Sequence, residues 1–387
     1  MYPNLYYFFF DVFGVSIPFL KAVNSFGFFV AMAFVVGGYY YTRELKRKEG
    51  NGLLVPGKIK RTFGAPATTA ELVSNGVLGF FLGFKLLHAF LNSEVFGNFP
   101  SFLFSVQGNI IGGILGAAGM AYWRYAEAKK TQLPKPEERE VPFHSWEHVG
   151  NLIVIAVIFG FIGAKLFAWF EVGGNFIDFI SDPFQGLTMY GGLICAAIAM
   201  TVYMRKNNLP VWHFYDAAAP ALMLAYGVGR IGCHVSGDGD WGIVNTAPKP
   251  GWMSFLPDWM WSYNYPNNVN GVDTPIPGCI YEEKYCNMLE HPVFPTPFYE
   301  TVMCVLFFGV LWMLRKRISI PGVLFFVYLF LNGIERFLIE SIRVNEKINF
   351  LGMQVTQAQL ISGTFLLAGI VGIVYLFRKN KAGTPAA

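Results

Sequence analysis

The chain has 387 residues, of which 54% are hydrophobic and only 14% charged, against roughly a quarter charged in an ordinary soluble domain. That balance excludes a soluble globule. The net charge of +4 gives no case for nucleic-acid binding, because the basic residues stand in short clusters and not on one continuous face. Apolar blocks long enough to cross a hydrocarbon core, about 20 residues of helix, alternate with Gly-rich or charged stretches. The fold expected is therefore all-α, a polytopic transmembrane helix bundle.

In chain order, the opening stretch from Met1 to Phe19 is aromatic and lacks a basic segment followed by a cleavage site, so no removable signal peptide is expected. About nine spans follow, near 22–42, 72–91, 107–126, 149–170, 188–204, 212–232, 297–315, 321–342 and 356–378. Each odd span is followed by Lys/Arg: Arg43, Lys46, Arg47 and Lys48; Lys129, Lys130 and Lys135; Arg205 and Lys206; Arg315, Lys316 and Arg317; Arg378, Lys379 and Lys381. The opposite loops carry Glu94, Glu171, Asp178 and Asp182. By the positive-inside rule the N-terminus is outside and the C-terminus cytoplasmic, with a cytoplasmic tail at 379–387.

Phe81, Gly83, Lys85, Leu86 and Phe90 of the second span recur 80 residues later as Phe161, Gly163, Lys165, Leu166 and Phe170, and Gly112-Gly113 answers Gly191-Gly192. Residues 71–128 thus read as an inserted helix pair resembling 149–206, within a single membrane domain at 1–378; chance likeness between two Gly-rich helices is the alternative. The segments from Arg43 to Ala70 and from Glu127 to Glu147 read as linkers. Residues 237–295, rich in Pro, Asn, Gly and Trp, read as an irregular arm on the outer side. Cys195 and Cys304 lie within spans and suit small apolar core positions. Cys279 and Cys286 lie in the arm, either free or paired in an oxidising compartment.

Charges inside spans are costly, so they mark where to look for chemistry. The sixth span ends in Gly229-Arg230-Ile231-Gly232-Cys233-His234-Val235-Ser236-Gly237-Asp238-Gly239-Asp240-Trp241-Gly242, the eighth carries Glu335, Arg336, Glu340 and Arg343, and the fifth opens on Tyr190-Gly191-Gly192-Leu193. Alternating spans bring these, with the stretch from His291 to Glu300, to the outer headgroup depth. Arg336, Glu340 and Arg343 fall at i, i+4 and i+7, one stripe of an extended helix. An arginine fork grips phosphate bidentately and keeps its proton, so Arg230 and Arg336 suit an anionic lipid headgroup. The structural alternatives are an ion pair of Arg230 with Asp238 or Asp240, an intrahelical pair of Arg336 with Glu340, hydrogen-bonded structural roles for His234 and His291, and an interfacial anchor role for Tyr190. No HExxH motif and no Cys/His cluster at ligand spacing occurs, so neither a metal nor another cofactor is expected.

Gly229 to Asp238, closed by Trp241-Gly242, resembles the defining signature of the prolipoprotein diacylglyceryl transferase family. Gly333 to Arg343 resembles its second arginine segment, His291-Pro292 with Pro297-Phe298-Tyr299-Glu300 its His-Pro and Tyr-Glu element, and Tyr190-Gly191-Gly192-Leu193 its Gly-Gly-Leu element. Tyr190 stands where many members have His, and Cys233 and His234 where Asn and an aromatic are common. The family usually has seven spans, so the second and third are the extra ones.

The resemblance implies a bacterial inner-membrane enzyme that moves the sn-1,2-diacylglyceryl group of phosphatidylglycerol to the lipobox cysteine thiol of a prolipoprotein, releasing glycerol phosphate. It implies catalytic roles for Tyr190 and Arg336, substrate binding by Arg230, Asp238, Glu340 and Arg343, and support from His234, His291, Tyr299 and Glu300. Its partners would be phosphatidylglycerol, lipobox prolipoproteins and membrane lipids, with no nucleic acid. The competing class is a multi-span transporter, for which a duplicated helix pair is also a hallmark.

Overall fold

The computed structural model describes residues 1–98, 102–103, 105–173, 186–271, 274–345, 347–350 and 353–383; Asp178 and Asp182, counted above among the outer acidic residues, lie outside them. A short amphipathic helix, α1 (Leu5–Phe13), is followed by α2 (Ser25–Gly50), α3 (Thr69–Leu91), α4 (Ile110–Thr131), α5 (His148–Val172), α6 (Met189–Lys206), α7 (Val211–Ser236), α8 (Thr296–Leu314), α9 (Val323–Glu340) and α10 (Gln357–Lys381). The protein is mostly helical, and five helices (α2, α3, α5 with its preceding turn, α8 and α10) are long and apolar enough to cross a membrane. Helix starts follow local chemistry: Thr68 with Glu71, and Thr356 with Gln359, form capping boxes, and Asn109 accepts from the Gly112 amide at 3.0 Å. Helix α10 runs on through Lys381, past the expected start of the tail at 379.

Helix α7 is the axis of the bundle, packing along α2 and α8, while α9 packs on α10 and also meets α7 and α8. Phe214 and Met223 of α7 are fully buried, with Leu45 of α2 and Leu311 of α8. At the end of the bundle where α2 and α8 finish, ion pairs fix the register. Glu44, without solvent exposure, pairs with Arg47 and, at 3.0 Å, with the Arg315 Nε. Asp216 pairs with Lys48 at 3.7 Å and accepts from the Gly322 and Phe325 amides at 2.8 and 3.0 Å. A carboxylate of α7 thus satisfies the orphan donors at the start of α9, tying together the two helices that carry Arg230 and Arg336 at their other ends.

The hairpins α3–α4 and α5–α6 are built alike. A Cβ on Gly83 would collide with the Gly112 carbonyl, and one on Gly163 with that of Gly191, so only glycine allows the backbones this close. The Asn109 amide donates to the Phe84 carbonyl at 2.8 Å, and the Thr188 amide to that of Ala164 at 3.1 Å. Lys85 and Lys165 are both buried; the Lys85 ammonium donates to the carbonyls of Phe102, Ser105 and Gln107 at 2.8, 2.6 and 2.8 Å, which closes the α3–α4 hairpin.

The segments expected to be linkers contain strands. β1 (Gly57–Phe63) and β2 (Glu137–Phe143) pair antiparallel, Gly57 opposite Phe143 and Phe63 opposite Glu137. Ladder pairing takes its partner from far along the chain, here 137 − 63 = 74 residues away at the nearest pair, so local composition does not announce it.

The arm from 237 to 295 is irregular, as expected, with 3-10 turns and the two-residue strands β3 (Thr274–Pro275) and β4 (Asn287–Met288). Cys279 and Cys286 are disulfide-bonded. Helix α1 and the turn Pro18–Ala22 after it dock on this loop: the Tyr7 ring stacks on Tyr281 at 3.9 Å, the Glu282 amide donates to the Tyr7 hydroxyl at 3.0 Å, and Lys21 of the turn pairs with Glu282 at 3.0 Å. A last hairpin, β5 (Lys347–Phe350) and β6 (Met353–Thr356), leads into α10.

Candidate active site

One end of the bundle gathers the polar ends of five helices: the close of α7 and α9 and the opening of α6, α8 and α10. Between them lies a cavity of about 350 Å³ lined by Glu171, Thr188, Met189, Tyr190, Tyr226, Arg230, Asp240, Arg336, Arg343 and Gln357. Helix α7 brings Arg230 there and ends at Gly237, whose left-handed φ of 64° lets its amide return to the Cys233 carbonyl at 3.0 Å. The turn that follows points Asp240 back at Arg230.

Glu300, in the second turn of α8 and without solvent exposure, is the hub. It accepts from Arg230 Nε and stands 3.4 Å from Arg336 Nη1 and 3.7 Å from Arg343 Nη1. Asp240 bridges Arg230 and Arg343 from the other side. Burial opposes ionisation of Asp240, but the two guanidiniums outweigh it and hold its carboxyl at about 2. Burial, then the neighbouring Asp240 charge, pushes Asp238 up. Asp238 accepts from the Asp240 amide at 3.3 Å and so shapes the loop without lining the cavity. Glu340 stands 3.8 Å from Arg336 and accepts from Asn345 at 2.6 Å.

The expected stripe of Arg336, Glu340 and Arg343 is corrected. Helix α9 ends at Glu340, and Arg343 reaches the cluster through the turn beyond, where it forms a β-bridge with Gly242. A side chain at Gly242 would meet the Ile342 carbonyl at 2.5 Å, so the glycine is what lets the arm lie against this turn. Ending the helix frees the arginine from the 100° step and lets its fork turn to Asp240 and Glu300.

Four polar atoms beside or within the cluster are buried without a hydrogen-bond partner: the Tyr190 hydroxyl, Arg336 Nε, Glu335 Oε2 and Glu340 Oε2. Unmet donors and acceptors around a cavity mark where a polar ligand completes the set. His234 accepts or donates at 3.1 Å to the Tyr265 hydroxyl inside an aromatic nest with Trp259 and Tyr263, off the cavity. His291 is exposed and also off it, and the Tyr299 hydroxyl donates to the Trp261 carbonyl at 3.3 Å, bracing the arm. Tyr226, one turn before Arg230, was not singled out from the sequence; its hydroxyl lies 3.5 Å from Glu335 Oε1, and Arg230 sits over its ring at 5.7 Å. The i−4 spacing from Arg230 was the available signal.

The family model for prolipoprotein diacylglyceryl transferase matches residues 132–375. This chain belongs to that family. It is a membrane-associated transferase. The chain is 28% identical to the phosphatidylglycerol–prolipoprotein diacylglyceryl transferase of Symbiobacterium thermophilum over 62% of its own length and 81% of that protein, and 30% identical to that of Staphylococcus aureus strain Newman over 61% and 75%. In this transferase the matched segment begins after α3 and α4 and contains every residue of the cluster.

Removing the hub's charge tests how the cluster is held. Breaking a buried ion pair on one side costs roughly 3–5 kcal/mol, so Glu300→Gln should lower the thermal unfolding midpoint clearly in detergent, while the exposed Glu290→Gln leaves it unchanged. Equal midpoints would show that the arginines do not depend on Glu300.

Proposed function

We propose that the arginine–carboxylate cavity is the active site at which this transferase moves the sn-1,2-diacylglyceryl group of phosphatidylglycerol to the lipobox cysteine thiol of a prolipoprotein. The observation that carries this reading is that three guanidiniums converge on one cavity and are held by carboxylates that leave an Arg336 donor unmet. The lipid's phosphodiester takes that unmet donor and the outer faces of Arg230 and Arg343. The substrate thiol gives up its proton to water, the resulting thiolate attacks the glyceryl C3 as the C3–O bond to phosphate breaks, and glycerol phosphate leaves carrying the charge the sulfur brought, one more than the phosphodiester had. The guanidiniums, fixed beforehand, stabilise that charge as it develops. Glu300, Asp240 and Glu340 aim them, and Asp238 shapes the loop that presents Asp240. Family membership argues against the transporter reading, as does the gathering of polar groups at one end of the bundle.

Nine helices cross the bilayer in this reading, with the arm and the cavity outside and the C-terminus in the bacterial cytoplasm, as the Lys/Arg distribution supports. The α3–α4 pair is an inserted copy of α5–α6, supported by the shared glycine contacts and inter-helix hydrogen bonds. For orientation, a membrane-impermeant thiol reagent applied to intact cells should label a cysteine placed at the exposed Ser254 of the arm and not one at Lys58 of β1; the reverse pattern refutes it.

Arg230→Lys and Arg336→Lys keep the charge and lose the fork. Loss of one transition-state contact of this kind is worth about a hundred- to a thousandfold in rate, measured as transfer from phosphatidylglycerol to a lipobox peptide by purified, folded variants. Near-normal turnover would make the arginines structural.

Tyr190 opens α6 with its hydroxyl buried and unpartnered at the cavity. A phenol hydroxyl can both donate and accept, so in this reading it hydrogen-bonds the incoming thiol or a phosphate oxygen. Tyr190→Phe should be partly active and Tyr190→His should recover rate; a fully active Phe variant would leave Tyr190 only as an interfacial anchor.

A further inference from the structure

The α3–α4 hairpin packs extensively on itself and touches the rest of the described chain chiefly at its two ends. At one end the β1–β2 ribbon carries the chain out to it and back, seven residues on each strand. At the other, the turn Pro18–Ala22 that precedes α2 meets the turn Ser93–Asn98 that follows α3, with Phe19 edge-on to Phe96 at 5.5 Å and Ala22 packed on Ala89, Phe96 and Phe102.

Immediately beneath the Phe19–Phe96 junction is a cavity of about 740 Å³, larger than the active-site cavity, lined by Ile17, Phe19, Leu86, Phe90, Gly112 and Leu115 among others, with no polar side chain among the described residues of its wall. Leu86, Phe90 and Leu115 leave 54%, 80% and 65% of their surface uncovered by protein. Such exposure is far beyond what water tolerates on one contiguous patch. Helix α3 is long and apolar enough to span the bilayer, so what meets this surface is hydrocarbon. An ordinary lipid-facing surface exchanges its lipid freely; this one is a concavity capped by a turn–turn contact.

We propose that the pocket between the α3–α4 hairpin and the Pro18–Ala22 turn is a second lipid site, which retains a glycerophospholipid by its acyl chains in the apolar cavity under Phe19 and Phe96. The site recognises chains and not a headgroup, because the described residues of its wall carry no polar side chain. It differs in this from the arginine cavity, although the α5–α6 hairpin that borders that cavity is built like α3–α4: where α6 opens on Tyr190-Gly191, α4 has Ile111-Gly112. The inference rests on the membrane placement of α3 and not on the catalytic assignment.

Native mass spectrometry of the full chain, extracted in mild detergent, tests it. The wild type should carry a phospholipid adduct, whose mass distinguishes phosphatidylglycerol from other glycerophospholipids. The double substitution Leu86→Trp with Leu115→Trp fills the cavity from side chains that contact little else, and should lose most of the adduct. Val77→Trp, equally exposed on α3 at 66% but away from the cavity, should keep it. Absence of an adduct from the wild type, or equal occupancy in all three proteins, overturns the proposal. A transfer assay on the same samples separates this site from the active one: an adduct lost with transfer retained supports a distinct site, and an adduct that persists when Arg230→Lys abolishes transfer does so too.

Discussion

Three guanidiniums cannot share a small buried volume unless something of opposite charge stands between them, and in this protein that is Glu300, helped by Asp240. Unpaired, each arginine would repel the others and carry a desolvation cost of several kcal/mol. Because Glu300 lies on α8, Arg230 on α7, Arg336 on α9 and Arg343 on the turn after it, the requirement to neutralise charge dictates how these elements pack. The Gly242 bridge, the close of α7 at Gly237 and the turn after Glu340 all serve that one requirement.

The opposite end of the same helices repeats the device with different residues. Asp216 and Glu44 anchor α7 and α2 to the start of α9 and the end of α8 through amides, Lys48 and Arg315. Hydrophobic packing sets little axial register between helices in lipid, since one apolar turn packs much like the next. Ion pairs and amide caps at both ends fix it, so that Arg336 arrives level with Arg230.

Beside this bundle the α3–α4 hairpin is a different construction, with no ion-pair network joining it to the axis helices among the described residues. Its coherence is internal: glycine contacts along its length, and the Lys85 ammonium on three carbonyls at the turn. A buried ammonium needs such acceptors, and the hairpin that supplies them is held closed. A unit so self-sufficient can stand apart from the bundle and leave an apolar gap between.

The sequence by itself determined that the chain is helical and apolar, which residues are chemically capable of gripping a phosphate, and which family it belongs to, because composition, hydrophobic block length and the Gly229 to Gly242 motif are local properties. It placed Arg230, Arg336 and Glu300 correctly in a common layer, but gave Glu300 only a supporting part and set Arg343 on a helical stripe that stops at Glu340. Tertiary structure alone decided that Glu300 and Asp240 are the hubs, that His234 and His291 stand off the cavity, and that β1 finds β2. The physical reason is common to all of these. Each depends on a partner tens of residues away, and an ion pair, a ribbon or an unmet hydroxyl acquires its meaning only when packing brings that partner within reach.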